Sequence, residues 1–568
     1  MTIVTNAEIK SKLKLASKLM ELHGDNPFKI RGYQTAADTI SDLQVEMSTM
    51  SIDDIPKIDG IGKGMAANVT QLLERGSFDG MDQLMEDTPS GVVEMFKISG
   101  FGPKKIAVLW KDGGAETMDD LLYMCQHGKV AQLKGFAEKS QDALMSAVQF
   151  AIRCRGLERY ANVEPIMTLI LSDFEKQPSI TLFSETGELR RRMEVIGCLE
   201  FLVASDNFES TRQVINGLAA FTENEKSSGP YTWSGHYDNC TVPVKIRFSS
   251  TDHFYNALVE TTAHPKHFNL PVESDKSIRS VVREKAYESE EAIYKAAGLS
   301  FVVPEMREGE FEIDLAKQNK LPHLIEMNDL RGILHNHSTY SDGKHTLRQM
   351  AEYCKELGYE YLGISDHSQT AVYANGLQDF RVKEQQEEIK KLNEELAPFK
   401  VFSGIESDIL ADGSLDYSDD VLASFDFIVA SVHSGLNMDI NKATNRLLTA
   451  IHNPYTTILG HMTGRLILER EGYPVDHKAV IDACAERGVV IEINASPYRL
   501  DIDWRWVHYA IEKGVKLSIN PDAHKMEGYK DMYYGLLAGR KGGLTKEKCL
   551  NAMSLEEISG YFLKRKSN

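Results

Sequence analysis

Histidine and carboxylate residues recur at short spacings in the C-terminal part of the chain. His335 and His337 form an H-x-H pair, Asp342 follows in YSDGK, and the segment PDAH contains Asp522 and His524. Side chains two positions apart on a strand share a face, so both imidazoles of the pair point to one side. A mixed set of nitrogen and oxygen ligands suits zinc, manganese or iron. These residues therefore predict a divalent metal site.

Seven apolar runs in this region end in polar residues: GILHNHS, YLGISDHS, KVFSGIESD, FIVASVHSG, TTILGHMTG, VVIEINAS and VKLSINPDAH. In a barrel of parallel strands, catalytic groups lie where strands end and the following loops begin. Six of the runs end in His, Asp or Glu, and the remaining one ends in Asn494. The candidate metal ligands are His335, His337, Asp342, His367, Glu406, His433, His461, Asp522 and His524. His345, His452, His477 and His508 lack this placement and are expected to be structural.

The same segments resemble a known phosphoesterase domain. HNHSTYSDG, ISDHS, GIESDIL, SVHS, GHMTGR and PDAH are similar, in order, to the motifs of the PHP domain, a distorted (β/α)7 barrel with a three-metal centre. The resemblance covers about residues 328 to 568, with Met462 where relatives usually have proline. It implies that Glu406 bridges metals. The ligands of the three ions would be His335, His337 and Asp522; His433 and His461; and Asp342, His367 and His524.

These ligands indicate hydrolysis of a phosphoester, because clustered divalent ions activate water and stabilise the attacking and leaving oxygens. The ions expected are manganese or zinc, with iron or magnesium as further options. Arg465 is a candidate phosphate clamp, since a guanidinium matches phosphate oxygens in a bidentate way, and a loop salt bridge is the alternative. The residues expected to be essential for catalysis are His335, His337, Glu406, Asp522 and Arg465.

Glycine turns recur within the first 155 residues. IPKIDGIGKGMAANV and FKISGFGPKKIAVL share a Gly-apolar-Gly pattern before a helical repeat, and LKGFAEKSQDAL has Ala137 as the second small residue. The helix after such a turn begins with free backbone N–H groups, which bind phosphate. The pattern resembles the helix-hairpin-helix, a sequence-independent binder of DNA backbones, with an ordinary helical turn as the alternative. The expected DNA contacts are Gly60, Gly62, Lys63, Gly64, Gly100, Gly102, Lys104 and Lys105.

The central region resembles a nucleotidyltransferase whose metal-binding residues have changed. Together with the glycine turns and the PHP motifs, it resembles the bacterial family X DNA polymerases over nearly the whole chain. Members of that family use a Gly-Ser loop and arginines for the triphosphate, and three aspartates for two metals. Here TGELRRRMEVIGCLEF keeps Gly187, Arg190 and Arg191. The replaced positions are Glu188 for the serine, Cys198 and Glu200 for the first two aspartates, and Lys245 for the third.

These replacements predict that polymerase activity is lost. Phosphoryl transfer of this kind depends on metals that neutralise the developing charge, and Lys245 would place a cation in a metal's position. Cys198 is expected to be a small buried residue, with a soft metal ligand as the alternative. The lyase lysine of the family aligns with Asn68, so lyase activity is not expected either.

Length and composition set limits on the organisation. The chain has 568 residues, of which 42% are hydrophobic and 26% charged, as in a protein of several globular domains. Seven cysteines without a CxxC pair indicate reduced thiols, and no signal peptide or membrane-length apolar run is found, so a soluble cytoplasmic protein without membrane partners is expected. The net charge of −19 argues against a simple basic coat for nucleic acid but allows local basic faces.

The expected fold class is multidomain α and α/β. The expected domains are a helical helix-hairpin-helix domain (1–90), a second, fingers-like helix-hairpin-helix region (91–158), a degenerate nucleotidyltransferase-like palm (159–260), a thumb-like region (261–304), a linker (305–330) and a distorted (β/α)7 PHP barrel (331–568).

The expected function is a metal-dependent 3′–5′ exonuclease or 3′-phosphoesterase that acts on DNA ends, nicks or gaps in repair. Three alternatives remain open: an active gap-filling polymerase with exonuclease, a small-molecule phosphatase of the histidinol-phosphatase kind, and a DNA-binding protein without catalysis. Protein partners are not indicated by any motif.

Overall fold

The structure, a computed structural model, describes residues 4–43, 45–272 and 276–566. Contacts within the chain divide it into two units, of which the first ends at Arg155 and the second begins at Gly156. This division lies close to the expected boundary after residue 158. Among the described residues, no helix combines the length and the apolar composition needed to cross a membrane.

Short helices connected by glycine turns make up the first unit. Thr5 and Glu8 cap the first helix reciprocally, since each side chain accepts the other residue's backbone N–H. Buried apolar side chains form two clusters, one around Ile40 and the other around Leu121. The helices are α1 (Asn6–His23), α2 (Pro27–Asp42), α3 (Lys63–Arg75), α4 (Asp79–Glu86), α5 (Ser90–Glu94), α6 (Pro103–Ala107), α7 (Met118–Gln126) and α8 (Glu138–Arg153).

The second unit begins with a mixed α/β region. Its strands are β1 (Glu158–Arg159), β2 (Phe183–Glu185), β3 (Val195–Ile196), β4 (Leu199–Ala204), β5 (Phe221–Glu223), β6 (Thr232–Tyr237) and β7 (Val244–Ser249). Its helices are α9 (Tyr160–Glu175), α10 (Gly187–Arg190) and α11 (Phe208–Asn216). A five-stranded sheet has the order β2-β4-β7-β6-β5, with Phe174, Phe201 and Trp233 in its core. Strands β4 and β7 pair in parallel and set Glu200 opposite Lys245.

Five helices follow the sheet and share a core of their own. They are α12 (Phe254–Thr262), α13 (Pro265–Asn269), α14 (Ile278–Val281), α15 (Glu290–Ala296) and α16 (Glu312–Lys317). The expected linker at 305–330 is therefore corrected, because Arg307, Glu312 and Ile325 are fully buried. The charged composition of this stretch suggested a solvated connection, but Arg307 and Glu312 are paired inside the protein, with Glu290 and His267 respectively.

The C-terminal part is a barrel of parallel strands, as expected. The strands are β8 (Gly332–Ile333), β9 (Tyr361–Ile364), β10 (Lys400–Asp408), β11 (Phe427–Ser431), β12 (Ile458–Leu459), β13 (Val490–Asn494) and β14 (Leu517–Asn520), hydrogen-bonded in chain order. The helices are α17 (Leu347–Glu356), α18 (Asp379–Leu396), α19 (Asp419–Leu422), α20 (Ile440–His452), α21 (His477–Arg487), α22 (Trp504–Glu512), α23 (Met532–Lys541) and α24 (Leu555–Lys566). The alternation of strand and helix follows the β-α-β pattern of the sequence.

The chain closes the barrel between its first and last strands with few hydrogen bonds. The Asp522 N–H donates to the His335 carbonyl (3.1 Å), and the His337 N–H donates to the Ala523 carbonyl (2.8 Å). At the other end, the Asn551 side chain donates to the Gly332 carbonyl (3.0 Å) and accepts the Ile519 N–H (2.8 Å). These bonds place candidate metal ligands that follow the first and the last barrel strands next to each other.

Buried ion pairs join the α/β region, the five helices and the barrel. Arg190 donates to both carboxylate oxygens of Glu290 (2.9 and 2.6 Å), which also accepts from Arg307 (2.6 Å). Glu308 accepts from Arg191 (2.9 Å) and from Lys541 (2.5 Å) of helix α23. Buried charges are tolerated only when paired in this way, so these contacts fix the three parts together.

Loss of the Glu290 charge should destabilise the second unit. Burial opposes ionisation, but Arg190 and Arg307 lower the pKa of Glu290 to about 2. Since the folded pKa lies below the ordinary value, its stabilisation is complete above about pH 4.5 and declines as the pH falls toward 2. We expect Glu290→Gln to lower the free energy of unfolding at pH 7 by about 3 kcal/mol. Urea unfolding should show that the difference in unfolding free energy between wild type and Glu290→Gln becomes smaller below pH 4.5. A difference that does not change with pH would contradict the role of the ion pair.

Candidate metal centre

The carboxylate of Glu406, on strand β10, lies at the centre of a cluster of imidazoles. Its Oε1 atom is 3.0 Å from His461 Nε2 and 3.1 Å from His433 Nε2. The same oxygen is 3.3 Å from His335 Nε2. The other oxygen, Oε2, is 3.0 Å from His367 Nδ1. Residues from the ends of several strands therefore converge on one fully buried carboxylate.

Two further carboxylates complete the cluster. Asp522 Oδ1 is 3.1 Å from His337 Nε2 and 3.6 Å from His335 Nε2. Asp342 Oδ1 is 3.3 Å from His524 Nε2 and 3.7 Å from His367 Nε2. The structure thus brings all nine candidate ligands together. Three groups have their ligand atoms within 4.8 Å of one another: His335, His337 and Asp522; His367, Glu406 and His433; and His337, Asp342, His367 and His524.

Several buried polar atoms of the cluster lack a hydrogen bond within the described part of the chain. They include His335 Nε2, His367 Nδ1 and Glu406 Oε2. His367 Nδ1 and Glu406 Oε2 approach to 3.0 Å, yet their orientation is not that of a hydrogen bond. Leaving such groups unsatisfied is costly, whereas a shared cation would satisfy all of them. The donor set of imidazole and carboxylate therefore fits divalent metal ions.

The carboxylates raise the pKa of some imidazoles of the cluster. Although burial opposes protonation, Glu492, Glu406 and Asp522 raise the pKa of His335 well above its ordinary value. Burial likewise opposes protonation of His433, but Glu406 and Asp408 raise its pKa to about 10. Protons on these rings balance the buried carboxylates. Metal binding would release those protons, because ligating nitrogens must be unprotonated.

Outer carboxylates that the sequence analysis missed orient two of the ligands. Glu492 Oε1 is 2.6 Å from His335 Nδ1, and Asp408 Oδ1 is 2.5 Å from His433 Nδ1. A carboxylate can only accept here, so each Nδ1 carries the proton and each Nε2 faces Glu406. A signal was present, since Asp408 lies two positions after Glu406 on strand β10 and Glu492 interrupts an apolar run.

Asp366 fixes the loop that follows the H-x-H pair. It is fully buried beside His367 and accepts from the Ser338 N–H (2.8 Å), the Ser341 hydroxyl (2.5 Å) and the Gln385 amide (2.6 Å). These bonds tie the loop after β8 to the loop after β9. The candidate ligands that follow β8 and β9 are therefore held in fixed positions relative to one another.

Arg499 lies at the edge of the centre, with its Nε atom 3.5 Å from Asp522 Oδ2. The guanidinium of Arg465 instead donates to Asp503 (2.5 Å) and to the backbone carbonyls of Arg499 (2.8 Å) and Leu500 (2.5 Å). The structure thus places Arg465 in the loop salt bridge that was the alternative to a phosphate clamp. Its clamp role stays a prediction, and its contacts hold the loop that carries Arg499.

The changed positions of the α/β region do not assemble into a second metal site. Burial and the Glu200 charge raise the pKa of Cys198 to about 12, so its thiol stays protonated. Glu200 lies opposite Lys245 and 3.5 Å from Arg247 Nη2. A side chain at Gly187 would place its Cβ 2.1 Å from Glu200 Oε2. Among the described residues, the groups able to hold a metal all lie in the barrel.

Arg190 and Arg191, the candidate triphosphate arginines, are engaged by Glu290 and Glu308 respectively. Both are well shielded, with 15% and 7% of their side chains exposed. Glu188, at the serine position, lines the same cleft as Cys198 and Glu200. The cleft is also lined by Arg191 and Arg247, which are paired with Glu308 and Glu200 respectively.

Three glycine turns of the first unit share one backbone geometry. Gly60, Gly100 and Gly135 have φ values of +85°, +80° and +89°. Two residues later stand the N-caps of helices α3, α6 and α8, which are Gly62, Gly102 and Ala137. The lysines after the first two turns, Lys63, Lys104 and Lys105, are exposed, as is Gly64. The DNA contacts assigned to these residues stay predictions.

Comparison with known proteins agrees with this organisation. Residues 4–78 match the helix-hairpin-helix domain and residues 334–496 match the PHP domain. The DNA polymerase/3′-5′ exonuclease PolX of Bacillus subtilis is 34% identical over 97% of this chain and 98% of its own length. A probable phosphatase of Thermoanaerobacter sp. is 26% identical over 41% of this chain and 94% of its own length. A probable phosphatase of Clostridium acetobutylicum is 30% identical over 34% of this chain and 78% of its own length.

Replacing the carboxylate of Glu492, which orients a ligand but is not one itself, should weaken metal binding. Glu492→Gln keeps the side-chain volume but makes a poorer acceptor for His335 Nδ1–H, so we expect affinity for Mn²⁺ to fall about tenfold. Calorimetric titration of the metal-free protein measures this change. Glu512→Ala, at an exposed position of helix α22, is the matched control. Equal affinities for Glu492→Gln and the wild type would show that Glu492 does not orient the ligand.

Proposed function

Because this chain belongs to the bacterial family X DNA polymerases that carry a C-terminal PHP domain, we propose that it is a metal-dependent 3′–5′ exonuclease or 3′-end phosphoesterase whose polymerase activity is lost. The observation that carries the proposal is the contrast between its two sites. All nine ligand positions of the barrel converge around Glu406, whereas the carboxylate positions of the α/β region hold Cys198, Glu200 and Lys245.

The barrel residues would hold three divalent ions, with manganese or zinc favoured by the ligand set. Bound ions would lower the pKa of water and stabilise the attacking and leaving oxygens of a phosphoester. Glu406 would bridge ions, since both of its oxygens face imidazoles. Glu492 and Asp408 keep the Nε2 atoms of His335 and His433 directed at Glu406.

Arg499 would bind the substrate phosphate at the edge of the centre. Its guanidinium lies beside Asp522 and retains 20% exposure, so it can reach an incoming anion. A guanidinium matches two phosphate oxygens and stays charged at every relevant pH. Arg465 would support it indirectly, because Arg465 holds the Arg499 carbonyl.

Loss of polymerase activity follows from charge and geometry in the α/β cleft. Two-metal phosphoryl transfer needs carboxylates that neutralise the ions, and Glu200 is the carboxylate retained at the three positions. Lys245 pairs with Glu200 on the neighbouring strand, the guanidinium of Arg247 lies 3.5 Å from its carboxylate, and both positive charges would repel a cation. The former triphosphate arginines are committed to Glu290 and Glu308.

DNA is the substrate class favoured by the first unit. Three turns with one geometry present helix N-termini, each with an exposed lysine in the first turn of its helix, and helix N-termini bind phosphate groups. Small-molecule phosphatase activity is the second candidate, because proteins described as probable phosphatases match the barrel part of the chain. Such a substrate would give the first unit no role in catalysis.

Removing a barrel ligand should abolish DNA hydrolysis. With a 5′-labelled single-stranded oligonucleotide and Mn²⁺, the wild type should produce a ladder of products shortened from the 3′ end. His335→Ala and Asp522→Ala should reduce the rate of hydrolysis more than about 100-fold. This loss is larger than that expected for removing a residue that only orients a metal ligand. His452→Ala, exposed at the end of helix α20, should leave the ladder unchanged. An intact oligonucleotide with the wild type would refute the nuclease assignment.

A further inference from the structure

An exposed aromatic side chain lies directly beside the metal centre. The ring of Tyr373 is centred 6.1 Å from that of His367, and the residue is 72% exposed. The preceding Val372 is 81% exposed. The described residues thus present an apolar surface at the mouth of a strongly polar cluster. Packing alone would favour the burial of both side chains.

The loop that carries Tyr373 is anchored by buried side chains and backbone hydrogen bonds. Ala374 and Leu377 are buried, and the Leu377 N–H donates to the His367 carbonyl (2.9 Å). A side chain at Gly376 would place its Cβ 1.9 Å from the Ser368 carbonyl oxygen, so the backbone here is closely packed. The Asn375 amide donates to the Tyr340 carbonyl (3.3 Å) on the loop after β8. Tyr373 therefore has a fixed position relative to the ligands.

Tyr373 and the centre are close enough for one nucleotide to reach both. The Tyr373 ring is centred 6.1 Å from that of His367, and His367 Nδ1 is 3.0 Å from Glu406 Oε2. A nucleobase is separated from its phosphate by a single ring, the sugar, so a base on Tyr373 and a phosphate at the centre can belong to one nucleotide. Tyr498, a second half-exposed tyrosine, lies under the guanidinium of Arg159 at 4.0 Å from its ring centroid. Tyr373 has no such cover among the described residues, and its face is open for stacking.

We propose that Tyr373 stacks on the nucleobase of the 3′-terminal nucleotide while the adjoining phosphodiester occupies the metal centre. The inference rests on the proposed function and names its substrate more closely: a 3′ end whose terminal nucleotide carries a base. Stacking on an aromatic side chain accepts any base, so the contact gives a preference for nucleic acid without sequence selectivity.

The test compares two 5′-labelled single strands of equal length, one ending in thymidine and one ending in a tetrahydrofuran abasic residue. Wild type should remove the thymidine nucleotide about 5- to 150-fold faster at limiting substrate, the range expected for one stacked base. Tyr373→Ala should abolish this preference by slowing only the base-ended strand. Tyr373→Phe should retain it, because the ring is kept. Tyr231→Ala, a similarly exposed tyrosine in the α/β region, should behave as wild type.

Different outcomes separate the stacking role from the proposed function. Hydrolysis of both strands by wild type with no preference, or a preference that persists in Tyr373→Ala, would overturn the stacking role and leave the nuclease assignment intact. An equal loss of rate on both strands in Tyr373→Ala would also overturn it, since the residue would then act on the centre and not on the base. Failure of the wild type to cut either strand would overturn both.

Discussion

One buried negative charge organises the barrel. Glu406 lies on the longest barrel strand with no exposed surface, and imidazoles from four other strand ends face its two oxygens. A carboxylate is very costly to bury unless it is paired, so these rings must stay where they are for the fold to be stable. The same convergence leaves nitrogen and oxygen atoms without hydrogen bonds, which cations can satisfy. Folding and metal binding therefore place the same demand on the same residues.

Buried charges in the central region are also paired, and there the pairs connect the region to the rest of the second unit. Arginines 190 and 191, which would face a triphosphate in an active polymerase, are paired with glutamates of the following helical part, and Lys541 of the barrel joins one of these pairs. Releasing either arginine would remove one of the two cations that compensate a buried carboxylate, since Glu290 also pairs with Arg307 and Glu308 with Lys541. The region thus acts as a structural connection to the barrel, consistent with a cleft in which Glu200 faces Lys245 and Arg247.

The sequence predicted most of the metal centre because strand ends have a regular pattern. Six of the seven apolar runs finish in a candidate ligand, and parallel strands bring their carboxyl ends to one edge, so the cluster follows without knowledge of the loops. Glu492 and Asp408 could have been found by the same alternation. The position of Arg499 beside Asp522 could not be predicted, because loop residues have no periodicity that fixes their direction. The segment 305–330 was misjudged since Arg307 and Glu312 are buried through pairing with residues distant in the chain.

The central claim is that the barrel is active and the polymerase site is not. Its most direct test measures primer extension by a protein whose nuclease site has been inactivated. A 5′-labelled primer annealed to a longer template is incubated with Mn²⁺, all four deoxynucleoside triphosphates and the His335→Ala protein. The account predicts a primer of unchanged length, because neither site can act. Primers that lengthen would show that the α/β region still catalyses nucleotide transfer despite Cys198, Glu200 and Lys245, and would contradict the account.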